Sequence, residues 1–166
     1  SRGASGELGH MIIEASDLDS PGYLGRLESY VSSSALIRYA VEEIRKDKNS
    51  VLYKKCGYSE KCLSPELIGE AAKKGDRAAL KAIKKMAFYL GIGLANIATF
   101  ISPDIIVLSG GLSRLGDLLL RPAIETMKKY SFGVTAKYTR VVISKLGPFS
   151  GVLGAAALVF RYIPRR

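Results

Sequence analysis

The run of apolar and polar positions divides the chain into a turn-rich opening, a helical middle and an α/β end. "HMIIEA", starting at His10, has the apolar density of a short strand, and "DSPGYLG" breaks it with Pro-Gly and a second glycine. From Leu27 the spacing turns helical, in "LESYV" and then "SSSALIRYAVEEIRK". Ser33 or Ser34 serves as the cap there, and Leu36, Ile37, Ala40, Val41 and Ile44 form one face. "DKNSVLYKKCGYSEKCL" reads as a polar connection of variable or mobile structure. Ser64-Pro65-Glu66 then combines a serine cap, proline at the first helical position and an acid in the first turn, so it starts a helix that ends at Gly75.

Asp76 caps a long helix in which Leu80, Ile83, Ala87, Leu90, Leu94, Ile97 and Ile101 repeat at threes and fours. Its second half is apolar nearly all round, which predicts insertion into the core. Gly91 and Gly93 each cost about 1 kcal/mol against alanine in a helix interior, so close packing of another element, or a slight bend, is expected there. "DIIVLSG" is a β-branched run suited to a buried parallel strand. "GGLS" turns the chain, "RLGDLLLRPAIETMKKY" returns as a helix kinked or restarted at Pro122, "TRVVISKLG" forms another strand, and "GVLGAAALVFRYI" closes as an apolar helix. Strand-helix-strand-helix in this order predicts an α/β unit with right-handed crossovers.

Composition narrows the class. The 166 residues make about one domain, and 48% hydrophobic against 24% charged residues argues against disorder. No apolar run reaches the roughly 18 residues of a membrane span, and no signal peptide is apparent. The start inside "SRGASGELG", without methionine, reads as a piece of a longer protein. The net charge of +10 is scattered among acids at helical spacing, with no aromatic-interleaved basic stripe, which argues against direct nucleic-acid binding. Cys56 and Cys62 read as free thiols in a reduced cytoplasm, with a local disulfide as the alternative; their spacing matches metal sites poorly.

Two places carry candidate chemistry. Gly110 and Gly111, after the apolar strand, let the backbone turn sharply and let a ligand approach a helix start, although an ordinary turn needs the same residues. Glu7, the sole histidine His10, and Glu28 offer acceptors and a donor suited to a polyhydroxylated ligand such as a sugar. Structural use of a lone histidine and solvation of loop glutamates would place the same residues there.

Taken together, "GELGHM", "LESY" and "IIVLSGGL" resemble the ROK family of repressors and sugar kinases, over essentially the whole chain and in order. The resemblance implies an α/β, actin-like (ribonuclease H-like) fold, of which this chain is the C-terminal lobe: 1–30 a sugar-site loop, 31–101 a helical part, 102–166 the α/β unit with the Gly-Gly loop. It implies sugar contacts from Glu7 and His10, a second sugar-contacting glutamate at Glu28, and an adenosine-side loop at Gly110 and Gly111. Three cysteines that join the family's histidine on a structural zinc correspond to Asp19, Pro21 and Arg26, so zinc is expected to be absent, with Pro21 or an Arg26 ion pair holding the loop.

The family's Asn-Asp catalytic pair lies upstream of the matching region, so this piece is expected to be inactive as a kinase. The resemblance leaves two parents: a regulator that senses a sugar and reaches DNA through an upstream domain, towards which the lost cysteines and the basic surface lean, or an ATP-dependent sugar kinase. A cytoplasmic homo-oligomer without membrane contact is expected in both cases. A third reading makes the piece an assembly module that self-associates through its long apolar helix.

Overall fold

A computed structural model describes residues 6–17 and 25–162. A 3-10 turn at Leu8–His10 and another at Ala15–Asp17 precede helices α1 (Leu27–Tyr30), α2 (Ser33–Lys46), α3 (Val51–Cys56), α4 (Pro65–Lys73) and α5 (Arg77–Ile101). Strand β1 (Ile105–Leu108), a 3-10 turn at Gly111–Leu115, α6 (Asp117–Tyr130), α7 (Gly133–Tyr138), β2 (Arg140–Ile143), a 3-10 turn at Gly147–Phe149 and α8 (Ser150–Tyr162) follow. β1 and β2 pair in parallel, Ile105 opposite Arg140 and Leu108 opposite Ile143.

The caps define the helical half. Ser32, one residue earlier than expected, accepts from the Ala35 N–H to start α2, and Ser64 accepts from Leu67 to start α4. Asp76 opens α5 by accepting from Ala79 N–H at 2.9 Å, and it is itself buried. Its other oxygen accepts from the Ser50 hydroxyl at 2.8 Å and the Val51 N–H at 2.6 Å. One carboxylate therefore ties the start of α3 to the start of α5. The segment expected to be a mobile connection is corrected by this finding: it contains α3, whose Leu52 is fully buried, and it leads into the buried Leu63.

α5 is the core's axis. Ala79, Ile83, Met86, Ala87, Leu94 and Ala98 are buried against α2, α4 and α6. The two helix glycines mark close approaches, as expected. A β-carbon on Gly91 would lie 2.4 Å from Thr126 Cβ and 2.6 Å from the Ala123 carbonyl oxygen of α6, and one on Gly93 would lie 2.8 Å from the Leu27 methyls of α1. α6 continues through Pro122 as one helix.

Three expectations fail. "HMIIEA" forms no strand: its start is a 3-10 turn, and Gly25 O accepts from both Ile13 and Glu14 N–H, limiting the pairing to one antiparallel bridge between Ile12 and Arg26. β1 is only half covered, with Ile105 and Val107 exposed, because among the described residues it has one strand neighbour. The end of α5 emerges from the core, leaving Phe100 91% exposed. α8 forms as expected, and its Val152, Leu153, Leu158, Val159 and Phe160 are exposed among the described residues.

The cysteines are corrected too: Cys56 and Cys62 form a disulfide with a Cα–Cα distance of 5.5 Å. α3 ends at Cys56, Gly57 at φ +57° reverses the chain, and turns at Ser59 (N–H to Cys56 O) and Cys62 (N–H to Ser59 O) return the second thiol to the first. Closing so short a loop contributes about 2 kcal/mol in the chain-entropy picture. Alkylation of the unfolded, unreduced chain is therefore expected to label neither cysteine. Labelling of both would return them to the free state.

Candidate functional site

Gly6, at φ +99°, allows the bend in which its carbonyl accepts from Leu8 N–H at 2.8 Å. Glu7 stands at the head of the turn that follows, where its carbonyl accepts from His10 N–H at 3.1 Å. The chain then runs antiparallel to residues 25–27: Ile13 N–H donates to Gly25 O and Leu27 N–H to Met11 O, both at 2.8 Å. This pairing lays α1 across the turn. It brings the side chains of Arg26 and Glu28 close to the turn. Arg26 Nη1 sits 2.8 Å from His10 Nδ1. Glu28 Cβ and Oε2 both lie 3.5 Å from where a β-carbon on Gly9 would stand.

The platform beneath is apolar and aromatic. Leu27 packs on Gly93, Tyr30 meets Tyr89 in a tilted pair with ring centroids 4.3 Å apart, and the Tyr30 hydroxyl donates to Asp17. Burial first, and then the Asp17 hydrogen bond, push that hydroxyl far above its ordinary range, so it remains a donor. Asn96 Nδ2 of α5 reaches Met11 Sδ at 3.3 Å. Glu7, His10 and Glu28 are themselves exposed. Glu7 and His10 thus flank Gly9 on one solvent-facing turn, with the Glu28 carboxylate of the adjacent helix set against Gly9; carboxylates accept from hydroxyls, and a ring nitrogen donates or accepts.

Gly110 and Gly111 lie elsewhere. Gly110 adopts φ +95° after β1, and its carbonyl accepts from the Ser113 hydroxyl at 2.6 Å. Beyond the adjoining residues, no atom stands within 4 Å of a β-carbon built on either glycine, so the turn faces open space. Gly111 borders a cavity of about 180 Å³ between this turn and α4, whose other walls include Glu66, Gly69, Glu70, Lys73 and Arg114. Gly69 lets Leu115 pack closely on α4: a β-carbon there would stand 2.9 Å from Leu115 Cδ2. Sequence reading missed the α4 wall, although 66, 69, 70 and 73 share a helix face by spacing alone.

Neither Glu7, His10 nor Glu28 lines that cavity. An apolar hollow of about 150 Å³ lies outside the carboxyl ends of β1 and β2, lined by Val31 just past α1 together with Leu108, Ser109, Leu112 and Ile143.

As for metals, no group of three His, Cys, Asp or Glu side chains gathers to hold an ion among the described residues. Asp19, Pro21 and Gly22 lie outside those residues.

The model of the ROK family matches residues 1–161. A glucokinase of Halalkalibacterium halodurans is 33% identical over 162 residues, covering 95% of this chain and 48% of that protein. A xylose repressor of Caldicellulosiruptor bescii is 30% identical over 158 residues, covering 95% of this chain and 39% of the repressor. The crystal structure of a ROK family glucokinase from Streptomyces griseus, in complex with glucose and AMPPNP, superposes with a TM-score of 0.79 at 30% identity, over 92% of this chain and 50% of that one. The chain spans about half the length of the curated glucokinases it matches. The α/β architecture is accordingly one lobe of an actin-like fold. Kinases and repressors share this likeness, and the chain belongs to the ROK family.

Proposed function

We propose that this chain is the sugar-binding lobe of a ROK protein, and that Glu7, His10 and Glu28 hold the sugar hydroxyls. The observation that carries this reading is the approach of Glu28 to Gly9, which sets its carboxylate beside the Glu7–His10 turn although Glu28 lies eighteen residues after His10. The likeness to a glucokinase crystallised with glucose supports the ligand class. Calorimetric titration of glucose, xylose and N-acetylglucosamine tests it. Glu28→Gln keeps the shape of the side chain but loses its charge. We expect at least tenfold weaker binding of the preferred sugar in that variant, since a hydrogen bond to a charged group contributes about 1.5–3 kcal/mol. Equal affinity in wild type and variant would remove Glu28 from the site.

The open Gly110–Gly111 turn and the cavity beside α4 favour a second ligand, the adenosine of ATP, in a parent that phosphorylates its sugar. Glu66 and Glu70 offer acceptors for ribose hydroxyls there, and Lys73 and Arg114 offer positive charge. No residue of the Glu7–His10–Glu28 set is spare to act as the proton-accepting base, so the 166-residue chain alone transfers no phosphoryl group. The second reading, a sugar-responsive repressor, draws on the likeness to the xylose repressor. Binding of a non-hydrolysable ATP analogue at the α4 cavity separates the two: the kinase reading expects it, and the repressor reading does not require it.

A further inference from the structure

Arginine and histidine meet in an unusual place. The family resemblance implies that the histidine of this turn helps hold a structural zinc, and Arg26 stands at one of the cysteine positions. One histidine and one aspartate with a proline and an arginine make no zinc donor set. The contact itself says more. Arg26 Nη1 lies 2.8 Å from His10 Nδ1. A guanidinium has only N–H donors and stays charged, so Nδ1 must be the acceptor, with its lone pair directed at Arg26. An imidazolium has no lone pair to offer and would repel the guanidinium. A metal ion on the same nitrogen would need the same lone pair.

We propose that Arg26 is a positioning residue that takes over the ordering role of a metal: it holds His10 as the neutral Nε2–H tautomer. In metal sites, engagement of one ring nitrogen fixes the proton on the other and sets the ring's orientation. Here a protein cation does the same. The antiparallel bridge places Arg26 opposite Ile12, two residues beyond His10, and fixes the distance that makes the contact possible. The ring nitrogen remaining for a ligand is then a donor, which complements the acceptor-only carboxylates of Glu7 and Glu28. A sugar hydroxyl, donor and acceptor at once, can give its proton to a carboxylate and accept from Nε2–H. This last step rests on the sugar-binding reading above; the tautomer does not.

The test uses the whole chain labelled with nitrogen-15, with long-range proton–nitrogen correlations of the imidazole assigned by their loss in His10→Gln. At mildly alkaline pH, Nδ1 is expected to be unprotonated and hydrogen-bonded, and Nε2 protonated. Arg26→Met is expected to move Nδ1 to the value of a solvent-exposed imidazole, and Arg26→Lys to restore it in part. A proton on Nδ1 in the wild type, or superimposable ring spectra in wild type and Arg26→Met, would overturn the proposal. The wild-type measurement stands even if the variant misfolds. Glucose titration in the same samples separates the two claims. Roughly tenfold weaker binding in Arg26→Met supports the positioning role, whereas a correct tautomer in a chain that binds no hexose refutes only the ligand assignment.

Discussion

Replacing Asp76 with alanine is expected to cost about 3 kcal/mol of stability and to lower Tm by roughly 6–12 °C. The carboxylate is buried and accepts from Ser50 Oγ, Val51 N–H and Ala79 N–H. Its loss removes the N-cap of α5 and strands two donors at the start of α3 together. Buried donors left without partners cost more than the net value of the bonds they made.

The pH dependence has a defined sign. Burial pushes the Asp76 carboxyl up, but the hydrogen bonds from Ala79, Ser50, Val51 and Leu52 outweigh it and hold the group below its ordinary value of 3.8. A carboxyl with a depressed folded value stabilises the fold at pH above the unfolded value, and that contribution disappears as pH falls through the folded one. Denaturant melts should therefore show the full gap between wild type and Asp76→Ala near neutrality and a shrinking gap below about pH 3.8. A pH-independent gap would assign the loss to something other than the carboxylate's charge.

The second large effect is at the crossing of α5 and α6. Gly91→Val is expected to destabilise by about 3 kcal/mol, at the upper end of overpacking. The nearest atoms to a new β-carbon are Thr126 Cβ at 2.4 Å and the Ala123 carbonyl at 2.6 Å, and a helix carbonyl cannot swing aside as a side-chain tip does. Gly91→Ala is milder, because alanine recovers about 1 kcal/mol of helix propensity while still meeting that carbonyl. If Gly91→Ala stabilised the chain in a thermal melt, the helices would not be as close as they stand here. Gly93→Ala meets first the Leu27 side-chain tip, which can rotate, and should cost less than Gly91→Ala.

These residues also show what was legible in advance. Ser64-Pro65 and Asp76 announced α4 and α5 because capping is a local exchange between a side chain and N–H groups three residues on. Gly91 announced a close approach because glycine in a helix interior is costly without one. The partner, Thr126 of α6, could not be read, since nothing local relates positions 35 apart. α3 was missed for the same reason: its cap, Ser50, is completed by Asp76, 26 residues away.

At the site, Glu7, His10 and Glu28 were singled out by residue type and by family likeness. Their juxtaposition depends on one short antiparallel bridge that periodicity reports only as an apolar run. Arg26 was visible as a departure from a cysteine pattern, but its contact with Nδ1 needed coordinates. The cysteine reading failed because six residues of spacing say nothing about whether Gly57 reverses the chain. The apolar run of β1 looks like core in sequence, where burial is inferred from composition; among the described residues Ile105 and Val107 face outward.

In the proposed function, the Glu7–His10 turn with Glu28 laid across it is the receptor for the sugar's hydroxyl groups. The most direct measurement is a glucose titration of the labelled chain, followed by amide and side-chain chemical shifts at millimolar sugar, where even weak occupancy registers. Saturable shifts concentrated at Glu7, His10 and Glu28, and lost in Glu28→Gln, are the expected result. Saturable shifts confined to the α4 cavity or the apolar hollow beyond the strands, or no shifts at all, would contradict it.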